Sequence, residues 1–295
     1  LVTEQEHFFH EGSSMRKRNG IYYMVYSHLR KGRPTCIGYA TSRSPLGPFE
    51  YGGVIVDNAG CDPESWNNHG SICEFDGRWY VLYHRTTNGT RSLRKVCIEP
   101  IEFNEDGSID EVEMTSQGAG DPLDAFAEVE ARRACLLWGN TRVRTCAADR
   151  EELGGIRNED YATFKYLDFG DGADTFSVTV TPHAGGRIEV LTDNLWSAPV
   201  GTVEVPAAEG ASRSVTLTVP VRPVDGVRAV TLRFLGDKEA GERISGYSDR
   251  YGGKGLRAFS RFLVAKLFCR TRTLSGRHLS GRRYPFAGER FCRCR

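Results

Sequence analysis

Glu11 is the first residue in this chain placed to do chemistry. It stands in Phe8-Phe9-His10-Glu11-Gly12-Ser13-Ser14-Met15, after two aromatics and before small residues that lead into a strand pattern. A carboxylic acid entering a sheet from a tight turn can act as a proton donor. The same residue can equally be a solvated acid at a strand start. Farther on, Asn68-His69 precedes Gly70-Ser71-Ile72, so an amide and an imidazole stand before a second strand pattern of the same kind.

Such groups need elements to hold them, and the sequence supplies a repeat. Glu11–Ser14, followed by Arg18-Asn19-Gly20-Ile21-Tyr22-Tyr23-Met24-Val25-Tyr26-Ser27, aligns with Asn68–Ser71, followed by Phe75-Asp76-Gly77-Arg78-Trp79-Tyr80-Val81-Leu82-Tyr83-His84, about 57 residues later. Each copy reads as a short strand, an Asn-Gly or Asp-Gly turn and a second strand of aromatic and β-branched residues, the strongest short-range hairpin signal. Further strands are expected at 35–40 and 49–56 after the first hairpin, and at 94–98 and 101–104 after the second, with turns at Ser44-Pro45-Leu46-Gly47-Pro48 and Glu105-Asp106-Gly107. Four short strands per unit, repeated in phase, predict propeller blades rather than a sandwich. The innermost strand of each blade lines the channel, so Glu11 and His69 are expected as neighbours at one channel mouth. Two blades do not close a ring, and the remaining blades are expected to precede Leu1.

Composition narrows the class. The 295 residues hold 39 basic and 38 acidic side chains, a balance that argues against a polyanionic partner for the chain as a whole. No apolar run approaches the roughly 18–20 residues that span a bilayer. The chain starts at Leu1 and shows no signal peptide, as expected of the cut end of a longer chain. Cys36, Cys61, Cys73, Cys97, Cys135 and Cys146 are scattered singly, which fits buried thiols better than a zinc site or a disulfide framework.

Residues 121–150 loosen into an expected connector packed on the first unit. A second unit begins near Gly154, with strand patterns at 175–182, 186–192, 200–205, 214–219 and 227–234. Short strands with turns at this spacing predict a β-sandwich over 151–236. From Gly255 to Arg295 the only acid is Glu289 among many arginines and lysines. Residues 237–295 are therefore expected to form a disordered or aberrant basic tail, and no motif there supports a nucleic-acid partner.

Taken together, Glu11–Lys17 with Asn19–Tyr23, Cys61–Ile72 with Trp79–Arg85, and Arg94–Ile101 with Glu113–Gly118 resemble glycoside hydrolase family 43 over about residues 7–145. The resemblance implies an all-β chain: the C-terminal blades, 1–150, of a five-bladed propeller that cleaves β-xylosides or α-L-arabinofuranosides with inversion. It makes Glu11 the general acid. The family's general base and its acid-tuning Asp belong to earlier blades and have no counterpart here; Asp57 and Asp62 fit only on spacing and are expected to serve turns. An inverting glycosidase needs an acid and a base roughly 6.5–9.5 Å apart, so the chain alone is expected to hydrolyse little. His69 resembles a channel histidine that contacts a structural Ca2+ or an ordered water, the alternative being a histidine bonded within the channel wall. Arg94 matches an arginine facing the sugar, or lies on a solvated blade edge. Trp66, Asn67 and Asn68 would form a sugar platform with its polar contacts, or Trp66 belongs to the core.

The run Gly185–Val190 with Val200–Pro206 resembles a family 6 carbohydrate-binding module, a jelly-roll. Trp196, between these strands, is expected either to stack on a sugar or to be structural. The implied ligand is arabinoxylan or a related polysaccharide, and the implied location is extracellular or periplasmic. A non-catalytic carbohydrate-binding protein is the alternative.

Overall fold

The turn chemistry sets the first half. Asn19 and Gly20 sit at φ 48° and 78°, and Asp76 and Gly77 at 50° and 73°, the left-handed pairs that match the twist of a two-residue hairpin. They join β1 (Phe9–Arg18) to β2 (Ile21–Arg30) and β5 (Ser71–Phe75) to β6 (Arg78–Thr87). Two further pairs of this kind, Lys31-Gly32 and Asn88-Gly89, were not read from sequence. They join β2 to β3 (Arg33–Ser42) and β6 to β7 (Thr90–Ile101). With β4 (Glu50–Asp57) the first sheet runs β1-β2-β3-β4, all antiparallel, as its pattern predicts.

The computed structural model describes residues 1–147, 150–208 and 213–236, together with the backbone of Ser260–Lys266. Its second sheet departs from expectation. The strand expected at 94–98 lies within one long strand, β7, which stays paired with β6 to Ile101; the strand expected at 101–104 does not form beyond Ile101, where Phe103 makes only a bridge to Ile109, and the sheet has three strands, β5-β6-β7. Pro100 is tolerated because β7 is an edge strand and needs no donor on its outer side. One core joins the two sheets: Tyr23, Val25, Ile37, Tyr39 and Ile55 pack with Ile72, Val81, Tyr83 and Ile101. Tyr23 Oη donates to the Gly107 carbonyl at 2.7 Å and Ile109 N–H donates to Tyr39 Oη at 2.8 Å, so the turn at Glu105–Gly107 is tied to the first sheet.

Residues 121–150 are no loose connector. They carry β8 (Leu123–Asp124), β9 (Glu128–Val129), β10 (Leu136–Trp138) and β11 (Arg142–Ala147). These pair into the second half, made of β12 (Arg150–Gly154), β13 (Tyr161–Asp168), β14 (Ala173–Pro182), β15 (Gly186–Thr192), β16 (Gly201–Val205), β17 (Val215–Val224), β18 (Val227–Gly236) and β19 (Ser260–Lys266). One sheet runs β10-β13-β18-β15-β16 with β8 beside β13; the other runs β11-β12-β19-β14-β17 with β9 beside β19. β8, β9 and β10, of two or three residues, are too short to show a period of two, which is why sequence reading missed them. β19 falls in the stretch expected as tail; the rest of 237–295 lies outside the described residues.

Alternation in β14 shows which side of its sheet enters the core. Phe176, Val178 and Val180 are fully buried, while Ser177, Thr179 and Thr181 bond across to Thr218, Thr216 and Ser214. The inward set joins Leu153 and Val221 of its own sheet and Phe164, Ile188, Val190, Val230, Leu232 and Phe234 of the other in a single core. Strand is the main secondary structure of the described residues, and their one α-helix is the short Glu4–His7.

Candidate functional site

β1 is irregular where it carries Glu11. Its register against β2 shifts between Phe9 and Glu11 and again between Glu11 and Ser14, and such a bulge re-aims a side chain. Gly12, at φ +59°, permits this and also makes room: a Cβ there would lie 2.5 Å from His69 Nδ1. Glu11 Oε1 thereby comes within 3.0 Å of His69 Nε2, a hydrogen bond in which the imidazole N–H donates. The ring of His10 is farther away, 3.9 Å from the same oxygen. The carboxylate is half exposed and the imidazole about one-third. Ser14 Oγ donates to Ser71 Oγ at 3.0 Å just beyond, so the two repeats meet at equivalent residues.

The loop that carries His69 is held from below. Asn68 is fully buried; its Nδ2 donates to Thr35 O at 3.1 Å, its Oδ1 accepts from His84 N at 3.3 Å, and its own N–H donates to Pro34 O. Both ends of the buried amide are thus bonded to backbone, so Asn68 positions its neighbour. Asn58 does the same for the loop start, donating to His84 O at 2.7 Å and to Asn67 O at 3.1 Å.

His84 was missed by sequence reading, although it stands where the first repeat has Ser27. Its ring stacks on that of His69, centroids 6.1 Å apart and planes 16° from parallel. It is buried, and neither ring nitrogen has a protein partner. Burial, then the Arg94 charge and His69, lowers its pKa from the ordinary 6.5 to about 4, so it stays neutral near pH 7. Arg94 is exposed on β7 and donates through Nε to Arg91 O at 3.4 Å. Trp66 is 42% exposed and belongs to no core cluster. Its ring lies against two guanidiniums, Arg91 at 4.6 Å and Arg33 at 5.9 Å, so it is part of a cation–π stack.

Asp57 and Asp62 serve turns, as expected. Asp57 accepts from Ala59 N–H and pairs with Arg30; the buried Asp62 accepts from Glu64 N–H and lies 3.4 Å from Arg142. Calcium would need six to eight oxygen ligands. Around His69 the geometry offers one carboxylate and two imidazoles, too few oxygens for such an ion, and no group of three or more His, Cys, Asp or Glu among the described residues is arranged to hold a metal. In the second half, Trp196 sits between β15 and β16, with 92% of its surface exposed and its backbone N–H donating to Asn194 Oδ1. Trp138, not singled out from sequence, is 60% exposed and lies flat on Tyr161 with ring centroids 5.9 Å apart. Cys36, Cys61 and Cys135 are buried free thiols; Cys73, Cys97 and Cys146 are free and partly exposed.

The described residues thus set an acid–imidazole pair between two repeated hairpins, followed by two sheets around one core. Residues 2–109 match the model of glycosyl hydrolases family 43, and residues 137–245 match that of carbohydrate binding module family 6. The first segment is thus similar to glycosyl hydrolase family 43 and the second to binding-module family 6. It is 36% identical over 269 residues to a xylosidase/arabinosidase of Thermoclostridium stercorarium, covering 79% of this chain and 55% of that protein. It is 32% identical over 253 residues to an arabinoxylan arabinofuranohydrolase of Bacillus subtilis, covering 78% and 48%. A solved structure of a family 43 arabinoxylan arabinofuranohydrolase from Bacillus subtilis with cellotetraose is 29% identical, covering 89% of this chain and 55% of that one, with a TM-score of 0.46. The chain spans about half the length of the curated relatives it matches.

Proposed function

We propose that the protein carrying this chain is an inverting glycoside hydrolase acting on arabinose- or xylose-containing plant polysaccharide, and that Glu11 is its general acid. The observation that carries this reading is the Glu11–His69 pair, held at the junction of two repeated hairpins inside the segment matched to family 43. With Oε1 occupied by the imidazole, Oε2 is the oxygen from which a proton would pass to the leaving glycosidic oxygen. We assign no base within this chain, because Asp57 and Asp62 are engaged elsewhere; the water-activating carboxylate comes from a part of the family fold beyond the matched residues. The two four- and three-stranded sheets are read as propeller blades, and the two facing sheets as a jelly-roll sandwich.

The seam between these units falls near residue 120 rather than 150, since β8 to β11 pair into the second unit. Trp196 is its sugar platform: an indole this exposed has no packing role to explain it, and its flat face suits the apolar face of a pyranose. Arg94, whose charge acts on His84 beside His69, is read as a donor to sugar hydroxyls. A polymeric substrate places the work outside the cytoplasm. The test is release of arabinose or xylose from arabinoxylan by the protein that carries this chain. Glu11→Gln is expected to abolish release, and release that survives the substitution contradicts the assignment.

A further inference from the structure

A cavity of about 620 Å3 opens where the two halves meet. Its wall includes Asn88 from the β6–β7 turn, Asn140, Arg142 and Arg144 at the start of β11, and Gly155 and Arg157 from the segment after β12. Three arginines line one space, and no acid is among its described lining residues. Arg142 belongs to the wall itself: it lies 3.4 Å from buried Asp62 and 3.3 Å from Glu64, and donates to the Gly139 and Thr141 carbonyls.

The rest of the lining is pre-set. The buried Asp160 carboxylate accepts from Arg157 N–H at 2.9 Å and Asn140 N–H at 3.0 Å, fixing both loop ends. Asn88 Oδ1 accepts from Thr145 N–H and Oγ1, which leaves the amide nitrogen as its donor. Gly155 has no Cβ where one would lie 2.7 Å from the Arg144 guanidinium, so that group packs directly over the backbone.

Guanidinium forks match carboxylate geometry in pairs, amide nitrogens suit hydroxyls, and a space of this size holds a sugar ring rather than a bare ion. We infer that this cavity binds the carboxylate of a uronic acid branch on a polysaccharide. The inference rests on the carbohydrate-directed reading above but concerns a site separate from Glu11.

The test is calorimetric titration of the 295-residue chain with three probes: a xylo-oligosaccharide bearing one glucuronic acid branch, the unbranched oligosaccharide of equal length, and inorganic phosphate. The acidic oligosaccharide is expected to bind about tenfold more tightly than the neutral one. Arg144→Gln and Arg157→Gln should each remove most of that advantage and leave the neutral affinity unchanged. If a glutamine variant melts lower than the parent, Arg144→Lys and Arg157→Lys, which keep charge but lose the fork, are expected to lose part of it. Equal affinity for the two oligosaccharides, an advantage that survives the substitutions, or displacement by equimolar phosphate would each overturn the inference. Neutral binding without an acidic advantage sinks the cavity alone, whereas binding of neither oligosaccharide sinks the carbohydrate reading with it.

Discussion

Glu11 Oε1 lies 3.0 Å from His69 Nε2 although the two residues are 58 positions apart. The contact exists because one repeat carries the acid on a bulged strand, and the next carries the imidazole at the end of a loop locked by Asn58 and Asn68. Gly12 is the residue that lets them meet.

Gly12→Ala should therefore separate them. Alanine at φ +59° is strained, and its Cβ would press on His69 Nδ1 at 2.5 Å. The expected outcome is a loss of about 1–2 kcal/mol in stability, together with loss of the hydrogen-bonded imidazole N–H signal in the proton–nitrogen spectrum. An unchanged spectrum would show that the ring has another way to reach the acid.

His84 makes stability depend on pH in a set direction. Its folded pKa of about 4 lies below the ordinary 6.5, so the unfolded chain binds the extra proton between those values. The stabilisation is full above pH 6.5 and is lost as pH falls toward 4. Arg94 and His69 both face the ring and act in this direction. His28, lowered to about 4 mainly by burial, adds to the same slope. Urea unfolding of His84→Phe should be less acid-sensitive than that of the parent over this window, by on the order of 2 kcal/mol. Equal slopes would contradict the buried, neutral imidazole.

Asn68 and Trp196 are predicted to separate stability from binding. Asn68→Ala strips two buried backbone partners and should cost about 2–3 kcal/mol in thermal or urea unfolding. Trp196→Ala should change stability by less than about 0.5 kcal/mol, because the side chain is exposed. The same change should weaken binding to soluble arabinoxylan in affinity electrophoresis. Undiminished retardation would remove Trp196 from the proposed platform.

Much of this arrangement was legible in the sequence, and for identifiable reasons. Asn19-Gly20 and Asp76-Gly77 announce their hairpins because few residues adopt paired positive φ angles, and their phase puts Glu11 near His69. Lys31-Gly32 makes the same turn with a lysine that carries no such signal. The strands between 123 and 138, of two or three residues, are too short to display a period. Asn68 looked like a ligand contact because burial cannot be read from a polar residue beside a site. His84 was hidden because nothing in a strand pattern marks an imidazole that will lose its partners. The arginine cavity joins Asn88 to Arg157, across 69 positions and two sheets, and no local motif spans that distance.

The 295-residue chain by itself is expected to hydrolyse 4-nitrophenyl α-L-arabinofuranoside and β-D-xyloside negligibly, since it offers an acid without an assigned base. Initial-rate assays at micromolar protein check this. Clear turnover that disappears in Glu11→Gln would mean that a base is present among these residues.

The central claim is that Glu11 donates a proton to the leaving group, and the most direct test is leaving-group dependence in the protein that carries this chain. For Glu11→Ala, hydrolysis of a phenyl glycoside, which needs protonation, should fall by about a hundredfold or more. Hydrolysis of the 2,4-dinitrophenyl glycoside, whose leaving group departs unaided, should fall by less than about tenfold. Equal losses on both substrates, or no loss on either, would contradict the assignment of Glu11 as the general acid.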